Sequence, residues 1–338
     1  MSFKRLVIFT TLLTFGLIML GAYVRLSDAG LGCPDWPGCY GKLTPKMAAE
    51  HIADAVAEQG GEHGPVSMHK AWKEMVHRYI ASFLGLLIIA IAVMAWKKRE
   101  ELGQSPTLAT VLVGVVCLQG AFGAWTVTML LKPAIVTGHL IGGMTVLGLL
   151  VWLWLRQTSP ARTVAPVHDT RGLLWLARLG LVVVCAQIIL GGWVSTNYAA
   201  VVCTDFPTCQ GSYWPTMEFN HAFHMVRELG ETPDGQILNV ASLTAIHMTH
   251  RLGALVVTAV LLLLAARLWR NPGTKALAIK VVAVLALQVT MGIGNVVMHL
   301  PLWLAVAHNG GAALLLVTLI LVNYRVDNHA VRGHGFTR

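Results

Sequence analysis

Eight stretches of about 20 mostly apolar residues run through the chain, and they constrain its fold more than any other feature. They lie at roughly 4–24, 75–96, 107–130, 134–155, 172–195, 246–268, 275–298 and 302–323. A stretch of that length crosses a bilayer as one helix, because a helix satisfies all its own backbone polar groups there. The composition agrees, since 55% of the residues are hydrophobic and 12% are charged. The sequence therefore predicts an all-α membrane protein with eight transmembrane helices.

The basic residues lie mainly in the short connections between these stretches. The formal net charge is +9, and residues 97–99, 156–171 and 267–275 and both ends of the chain are rich in Lys and Arg. Because short basic connections face the cytoplasm, we expect both termini on the cytoplasmic side of the plasma (inner) membrane. The long connections 25–73 and 196–244 then lie on its outer face. Charge distributed in this way predicts the lipid bilayer as a partner and no nucleic acid.

Residues 1–165 and 166–338 carry the same landmarks in the same order, which indicates an internal duplication. Each half has a glycine twelve positions before the first of two cysteines, a His-Arg pair, and a glutamine twenty positions before a further histidine. These are Gly21, Cys33, Cys39, His77, Arg78, Gln119 and His139, and then Gly191, Cys203, Cys209, His250, Arg251, Gln288 and His308. Because each half has four spans, both halves insert in the same direction. We expect two tandem, pseudo-two-fold related four-helix bundles.

Four of the duplicated residues are histidines near the outer ends of their spans, at a similar depth: His77, His139, His250 and His308. Titratable side chains inside a membrane indicate a functional site. Pairing the second and fourth spans of each half sets His77 opposite His139 and His250 opposite His308, as facing helices hold haem iron between two axial nitrogens. Zinc or copper favours closer ligands, often thiolates or carboxylates. For any one histidine, the alternative is a hydrogen bond to a neighbouring helix.

Charged residues beside these histidines differ between the halves. Arg78 and Arg251 lie at the water interface, where they are predicted to bind haem propionates as bidentate donors. Glu74 lies one turn before His77, whereas the equivalent position in the second half is His247. The asymmetry indicates proton or cation chemistry at one site and electron transfer at the other. The alternative for Glu74 is a carboxylate in the first turn of its helix that complements the helix dipole.

Two Cys-x5-Cys pairs lie on the long outer connections, Cys33 with Cys39 and Cys203 with Cys209. An oxidising compartment permits disulfides, and the Asp-Trp-Pro and Asp-Phe-Pro segments between the cysteines favour a turn that brings the sulfurs together. A structural bridge on each loop is one interpretation. A thiol pair that exchanges electrons during turnover is another, and metal binding is a third.

With these features the chain resembles the heme A synthase family over nearly its full length. The resemblance is carried by the Glu-x-x-His-Arg motif at 74–78, the second His-Arg pair, the partner histidines, and a cysteine pair on each large loop. The activity it implies is oxidation of the C8 methyl group of haem O to a formyl group by successive hydroxylation. The product, haem A, serves terminal cytochrome oxidases.

The resemblance also implies a role for each duplicated residue. It implies a permanently bound haem b in the second half and the substrate, haem O, in the first half, with an acid beside the reacting centre. The residues concerned are His250 and His308 for haem b, His77 and His139 for haem O, Glu74 as the acid, Cys33 and Cys39 for turnover, and Cys203 and Cys209 for a stabilising bridge.

Two other functions fit parts of the pattern. A non-catalytic di-haem b-type electron carrier also needs two bis-histidine sites, although sites at one depth do not form a path across the membrane. A haem transporter or chaperone needs one exchangeable site. The enzyme interpretation implies further partners, namely the haem O synthase that supplies the substrate and an unidentified redox partner. The oligomeric state, including a homo-oligomer, is left open.

Overall fold

The computed structural model of the chain describes residues 2–61, 64–158 and 170–333, which form helices and loops without a named β-strand. The helices are α1 (Phe3–Leu26), α2 (Ala49–Glu58), α3 (Met68–Lys97), α4 (Arg99–Leu102), α5 (Thr107–Thr128), α6 (Pro133–Thr158), α7 (Thr170–Thr196), α8 (Val240–Trp269), α9 (Lys275–Val297) and α10 (Leu302–Gly333). All but α2 and α4 are long and apolar enough to cross a membrane. The prediction of an all-α protein with eight membrane-spanning helices is confirmed.

Two helices begin before their apolar stretches. In α3 the hydroxyl of Ser67 accepts a hydrogen bond from the backbone N–H of Lys70, and in α8 the side chain of Asn239 accepts one from Ser242. Each cap satisfies a backbone donor that the first helical turn leaves free. Because of these caps, between two and three helical turns precede His77 on α3 and His250 on α8.

The eight long helices form two rings of four neighbours. In the first half α1 packs against α3 and α6, and α5 packs against α3 and α6; α7, α8, α9 and α10 repeat this arrangement. The second and fourth long helices of each half therefore face each other diagonally. Between the halves, α10 packs against α1 and α6, and α7 packs against α6. Apolar residues of α6 and α10 fill that interface, including Leu147, Val151, Leu316 and Ile320.

Contacts between equivalent positions support a two-fold relation between the halves. Arg25, which follows Gly21 by four positions, donates to the carbonyl of Ser195, which follows Gly191 by the same number. Tyr198 donates to the carboxylate of its own counterpart, Asp28, at 2.9 Å. Residues that touch their own equivalents lie next to the axis that relates the two halves. The division at 165/166 stays a prediction, because that boundary lies outside the described residues.

The two long connections lie at one end of the molecule, here called the loop end, where α1 and α7 end and α3 and α8 begin. The first connection contains α2. The second is fixed to the bundle by Arg227, whose guanidinium bonds the side-chain oxygen of Asn197, and by the indole N–H of Trp193, which donates to the carbonyl of Ala222. Lys132 forms an ion pair with Glu228 at 2.7 Å, which ties the second connection to the first half. These contacts give the loop end a fixed cover.

Candidate haem sites

His77 and His139 face each other across the first bundle. They lie on the diagonal helices α3 and α6, with ring centroids 6.5 Å apart and an interplanar angle of 70°. The Nδ1 atoms of both rings are buried without a hydrogen-bond partner. A buried polar atom that lacks a partner is costly, so it indicates a missing ligand or a functional role.

His250 and His308 occupy the equivalent diagonal helices of the second bundle, α8 and α10. The carboxamide nitrogen of Gln187 lies 3.0 Å from Nδ1 of His250 and donates to its backbone carbonyl at 2.8 Å. The carboxamide nitrogen of Gln288 lies 3.4 Å from Nε2 of His308, whose Nδ1 atom is buried without a partner. The second pair is therefore braced by two glutamines from neighbouring helices.

Each of the four imidazoles packs against a glycine on an adjacent helix. A Cβ atom added at these glycines would lie 3.1 to 3.3 Å from the Cε1 atom of the facing histidine. The pairs are Gly21 with His77, Gly123 with His139, Gly191 with His250, and Gly292 with His308. A side chain there would crowd the ring, so glycine allows each imidazole to lie close to the neighbouring helix. The same contact is therefore made four times, twice in each bundle.

The residues present fit haem better than a bare metal ion. Within the described residues there is no group of three or more His, Cys, Asp or Glu side chains that could hold a metal ion. Zinc generally requires three or four protein ligands. A haem iron requires only two, because the porphyrin supplies the other four nitrogens. Two buried histidines on facing helices, each with a glycine at its side, match that need.

Glu74 is buried and connects α3 to the first cysteine loop. Its carboxylate accepts hydrogen bonds from the backbone N–H of Cys33 at 2.9 Å and from Arg78 at 2.5 Å. Arg78 in turn donates to the carbonyls of Asp35 and Gly38 at 2.8 and 2.5 Å. The alternative of a carboxylate in the first helical turn is wrong, because α3 begins at Met68 and has no acidic residue in that turn.

Arg251 repeats the contacts of Arg78 without the acid. It donates to the carbonyls of Thr208 at 2.8 Å and Asp205 at 3.0 Å, both in the second cysteine loop. His247, at the position equivalent to Glu74, bonds the carbonyl of Ala199 instead. Both arginines therefore hold loop carbonyls in this structure. The predicted contact of Arg78 and Arg251 with haem propionates stays a prediction.

The cysteine pairs form disulfides, Cys33 with Cys39 and Cys203 with Cys209. Within each loop an aspartate accepts two backbone N–H bonds; for Asp205 these come from Gln210 and Gly211. A hydrogen bond from the Thr208 side chain, together with such backbone donors, lowers the pKa of the Asp205 carboxyl to about 2. Each loop is thus closed by a covalent bridge and by charge-assisted hydrogen bonds.

Gln187 was not among the predicted site residues. Its counterpart in the first half is Leu17, so it does not belong to the duplicated pattern. The signal that would have found it is the difference between the halves: a polar residue inside an apolar span, four positions before the landmark glycine Gly191.

Comparisons with known proteins agree with this arrangement of sites. A protein-family model described as cytochrome oxidase assembly protein matches residues 4–320. A protein of Shewanella oneidensis named heme A synthase is 44% identical over 315 residues, which cover 93% of this chain and 94% of that protein. The chain belongs to the heme A synthase family. The family predicted from the motifs is confirmed.

More distant members of the heme A synthase family match nearly the whole chain as well. A heme A synthase of Rhizorhabdus wittichii is 24% identical over 336 residues, covering 94% of this chain and 92% of its own. One of Hyphomonas neptunium is 28% identical over 344 residues, covering 96% and 92%. The likeness to heme A synthases therefore extends over nearly the whole chain.

Proposed function

We propose that this chain is a heme A synthase, a membrane oxidoreductase that oxidises the C8 methyl group of haem O to a formyl group through hydroxylated intermediates. The haem A formed serves terminal cytochrome oxidases. The observation that carries the proposal is the pair of buried bis-histidine sites in a member of this family, of which only the first has a buried carboxylate one turn away. A protein that only transfers electrons does not need a carboxylate at one of its two sites.

The second half is proposed to hold haem b as the resident cofactor, between His250 and His308. Haem b bound there would supply electron transfer to and from the reaction. The protein's contribution is to fix the two imidazoles, through Gly191, Gly292 and the amide of Gln187. At the position of Glu74 this half has His247, whose ring bonds the carbonyl of Ala199, so the second site has no carboxylate there.

The first half is proposed to hold the substrate, haem O, between His77 and His139, with Glu74 beside the reacting methyl group. Oxidation of a methyl group to a formyl group releases protons as well as electrons, so a carboxylate at that place can accept a proton. Glu74 is buried but hydrogen-bonded on both sides, by Arg78 and by the Cys33 amide, which keeps it in one position. A fixed base is an effective one, because orientation lowers the barrier.

The cysteine loops are proposed to hold the loop end of each site. In the first half, Arg78 links the carbonyls of the Cys33–Cys39 ring to Glu74, so the loop and the acid are one unit. We propose that Cys33 and Cys39 act during turnover, while the Cys203–Cys209 bridge is structural. Arg78 and Arg251 are further proposed to contact haem propionates in addition to the loops they hold.

The setting of the reaction is proposed to be the plasma (inner) membrane. The basic connections would place both termini in the cytoplasm and the cysteine loops outside. The proposed partners are the haem O synthase that supplies the substrate and a redox partner that accepts electrons. A second copy of the chain, in a homo-oligomer, is a further proposed partner.

The test is mass analysis of the haems extracted from the purified protein after expression with a supply of haem O. Wild type is compared with Glu74→Gln, His77→Ala and His250→Ala. We expect haem b to be lost from His250→Ala alone, because only that variant lacks a ligand of the second site. Haem O and its oxidised forms are expected to be lost from His77→Ala. Glu74→Gln is expected to retain haem O without forming haem A, since the amide keeps the shape of the acid and removes the base.

Other outcomes would contradict the proposal. If haem b were the only haem found, and both histidine variants lost it to the same extent, the result would support the electron carrier. Haem O bound and released without any hydroxylated form would support a transporter. Full conversion by Glu74→Gln would remove this carboxylate from the mechanism while leaving the enzyme assignment intact.

A further inference from the structure

The four histidines are not equally braced. Among them His250 is the one whose Nδ1 atom has a hydrogen-bond partner, the amide of Gln187 at 3.0 Å. The Nδ1 atoms of His77, His139 and His308 are buried without one. All four side chains lie in the described part of the chain.

The space for Gln187 is built into the second half. A Cβ atom at Gly253 would collide with the amide oxygen of Gln187, so glycine is required on α8 for this side chain to reach His250. The first half has Leu17 in place of Gln187. It has Ile80 in place of Gly253, since each follows the histidine of its helix by three positions. Leu17 and Ile80 belong to one apolar cluster. In the first half, two apolar residues thus replace both the glutamine and the glycine that makes room for it.

The other glutamines do not show this difference. Gln119 and Gln288 lie at equivalent positions, and a Cβ atom at Gly142 or Gly311 would collide with their amide oxygens. Gln119 donates to the backbone carbonyl of His139 at 2.7 Å. Both fourth-span histidines therefore have a glutamine beside them. Of the second-span histidines, His250 has one and His77 does not.

A partner on the free ring nitrogen controls how well a histidine holds a metal. When Nε2 binds iron, Nδ1 carries the proton and needs an acceptor. A carboxamide has both a donor and an acceptor, and the amide oxygen of Gln187 is buried without a partner. If the amide group turns over, its nitrogen no longer donates to the His250 carbonyl. Its oxygen then accepts a hydrogen bond from the Nδ1–H group. Such a bond fixes the ring and makes it a stronger ligand.

We propose that Gln187 is a positioning residue that makes the second half the retaining haem site, and that Leu17 at its place leaves His77 as the exchangeable ligand. The proposal rests on the proposed function, because it assumes one haem in each half. It adds a physical reason why the resident cofactor and the exchanging substrate occupy the halves they do.

The experiment compares Gln187→Leu, which copies the first half, with Gln119→Leu as the matched control in the other bundle. Purified protein containing haem b is mixed with apomyoglobin, and the rate of haem transfer is measured together with the midpoint potential of haem b. We expect Gln187→Leu to lose haem b about tenfold faster or more. Its potential should rise, because a weaker ligand donor favours the ferrous state. Gln119→Leu should change neither value for haem b.

The reciprocal variant, Leu17→Gln with Ile80→Gly, transfers the brace to His77. It is expected to slow the transfer of haem O from the first half to apomyoglobin by a similar factor and leave haem b unchanged. This variant keeps the proposal testable if Gln187→Leu fails to fold, since it does not alter the second half.

The results separate the two proposals. If His250→Ala abolishes haem b binding but Gln187→Leu leaves the transfer rate and the potential unchanged, the role of Gln187 is refuted and the proposed function stands. Unchanged haem O transfer from the reciprocal variant would also refute it. If wild type binds no haem b that depends on His250, the assignment of the cofactor site fails first.

Discussion

Replacement of Arg78 by Met removes the charged partner of a buried acid. The Arg78 and Glu74 side chains are 11% and 6% exposed, and the guanidinium also holds the carbonyls of Asp35 and Gly38. Methionine keeps much of the arginine stem but has no donor. The carboxylate of Glu74 is then left with neutral backbone donors of the first cysteine loop, chiefly the N–H of Cys33.

The size of the effect follows from burial and from the second half. Removing one partner of a buried ion pair costs about 3–5 kcal/mol of unfolding free energy, because the remaining charge is uncompensated. Arg251→Met is the matched control: it loses the same kind of carbonyl bonds, but His247 replaces the acid. Loss of such hydrogen bonds costs about 1–3 kcal/mol. We therefore expect Arg78→Met to be the less stable variant by about 2 kcal/mol.

The assay is unfolding of the purified protein by denaturing detergent in mixed micelles, followed by tryptophan fluorescence. Adding Glu74→Gln to Arg78→Met should recover most of the difference, because a neutral amide carries no charge to leave uncompensated. Equal losses of stability in Arg78→Met and Arg251→Met would refute the reasoning. Failure of Glu74→Gln to restore stability would refute it as well, and would mean that Arg78 acts through the loop carbonyls alone.

Two further predictions concern the glycine beside a haem ligand and the second cysteine loop. Gly191→Leu is expected to lose bound haem b, because a Cβ there lies 3.1 Å from the Cε1 atom of His250; Gly16→Leu, with nothing within 4 Å, is the control, and the Soret absorbance measures both. The pKa of Asp205 is lowered to about 2, chiefly by a hydrogen bond from the Thr208 side chain. This carboxylate therefore stabilises the folded loop at pH values above its ordinary pKa near 4, and the stabilisation is lost as the pH falls through 2. Limited proteolysis of the loop between pH 5 and 2 should show this loss in wild type; an equal loss in Asp205→Asn would contradict it.

Much of the fold could be predicted from the sequence because a bilayer permits few solutions. A chain with eight apolar stretches must form eight helices, since no other open structure satisfies the backbone in hydrocarbon. The first residues of α3 and α8 were harder to predict from the sequence. Both starts are set by the caps Ser67 and Asn239, and polar residues interrupt the apolar pattern just after them, His69 and Lys70 in α3 and Ser242 and Thr244 in α8. Apolar content alone therefore placed both helix starts six or seven residues late.

The duplicated pattern also identified the four histidines, Glu74 and the two His-Arg pairs, because a titratable residue repeated inside two spans is retained for a reason that packing does not supply. It could not give the partners of those residues. That Arg78 holds the first cysteine loop, and that Glu74 bonds the Cys33 amide, depends on how a loop folds over a helix some 40 residues later in the chain.

The sequence by itself determined the number of spans, the repeat and the set of ionisable residues in the membrane, since these follow from the cost of placing polar groups in lipid. Only the tertiary structure decided which diagonal helices bring His77 to within 6.5 Å of His139, and that Gln187 reaches His250. Both depend on contacts between different helices. Such contacts are fixed by side-chain packing across the bundle, to which the periodicity of any one helix gives no guide.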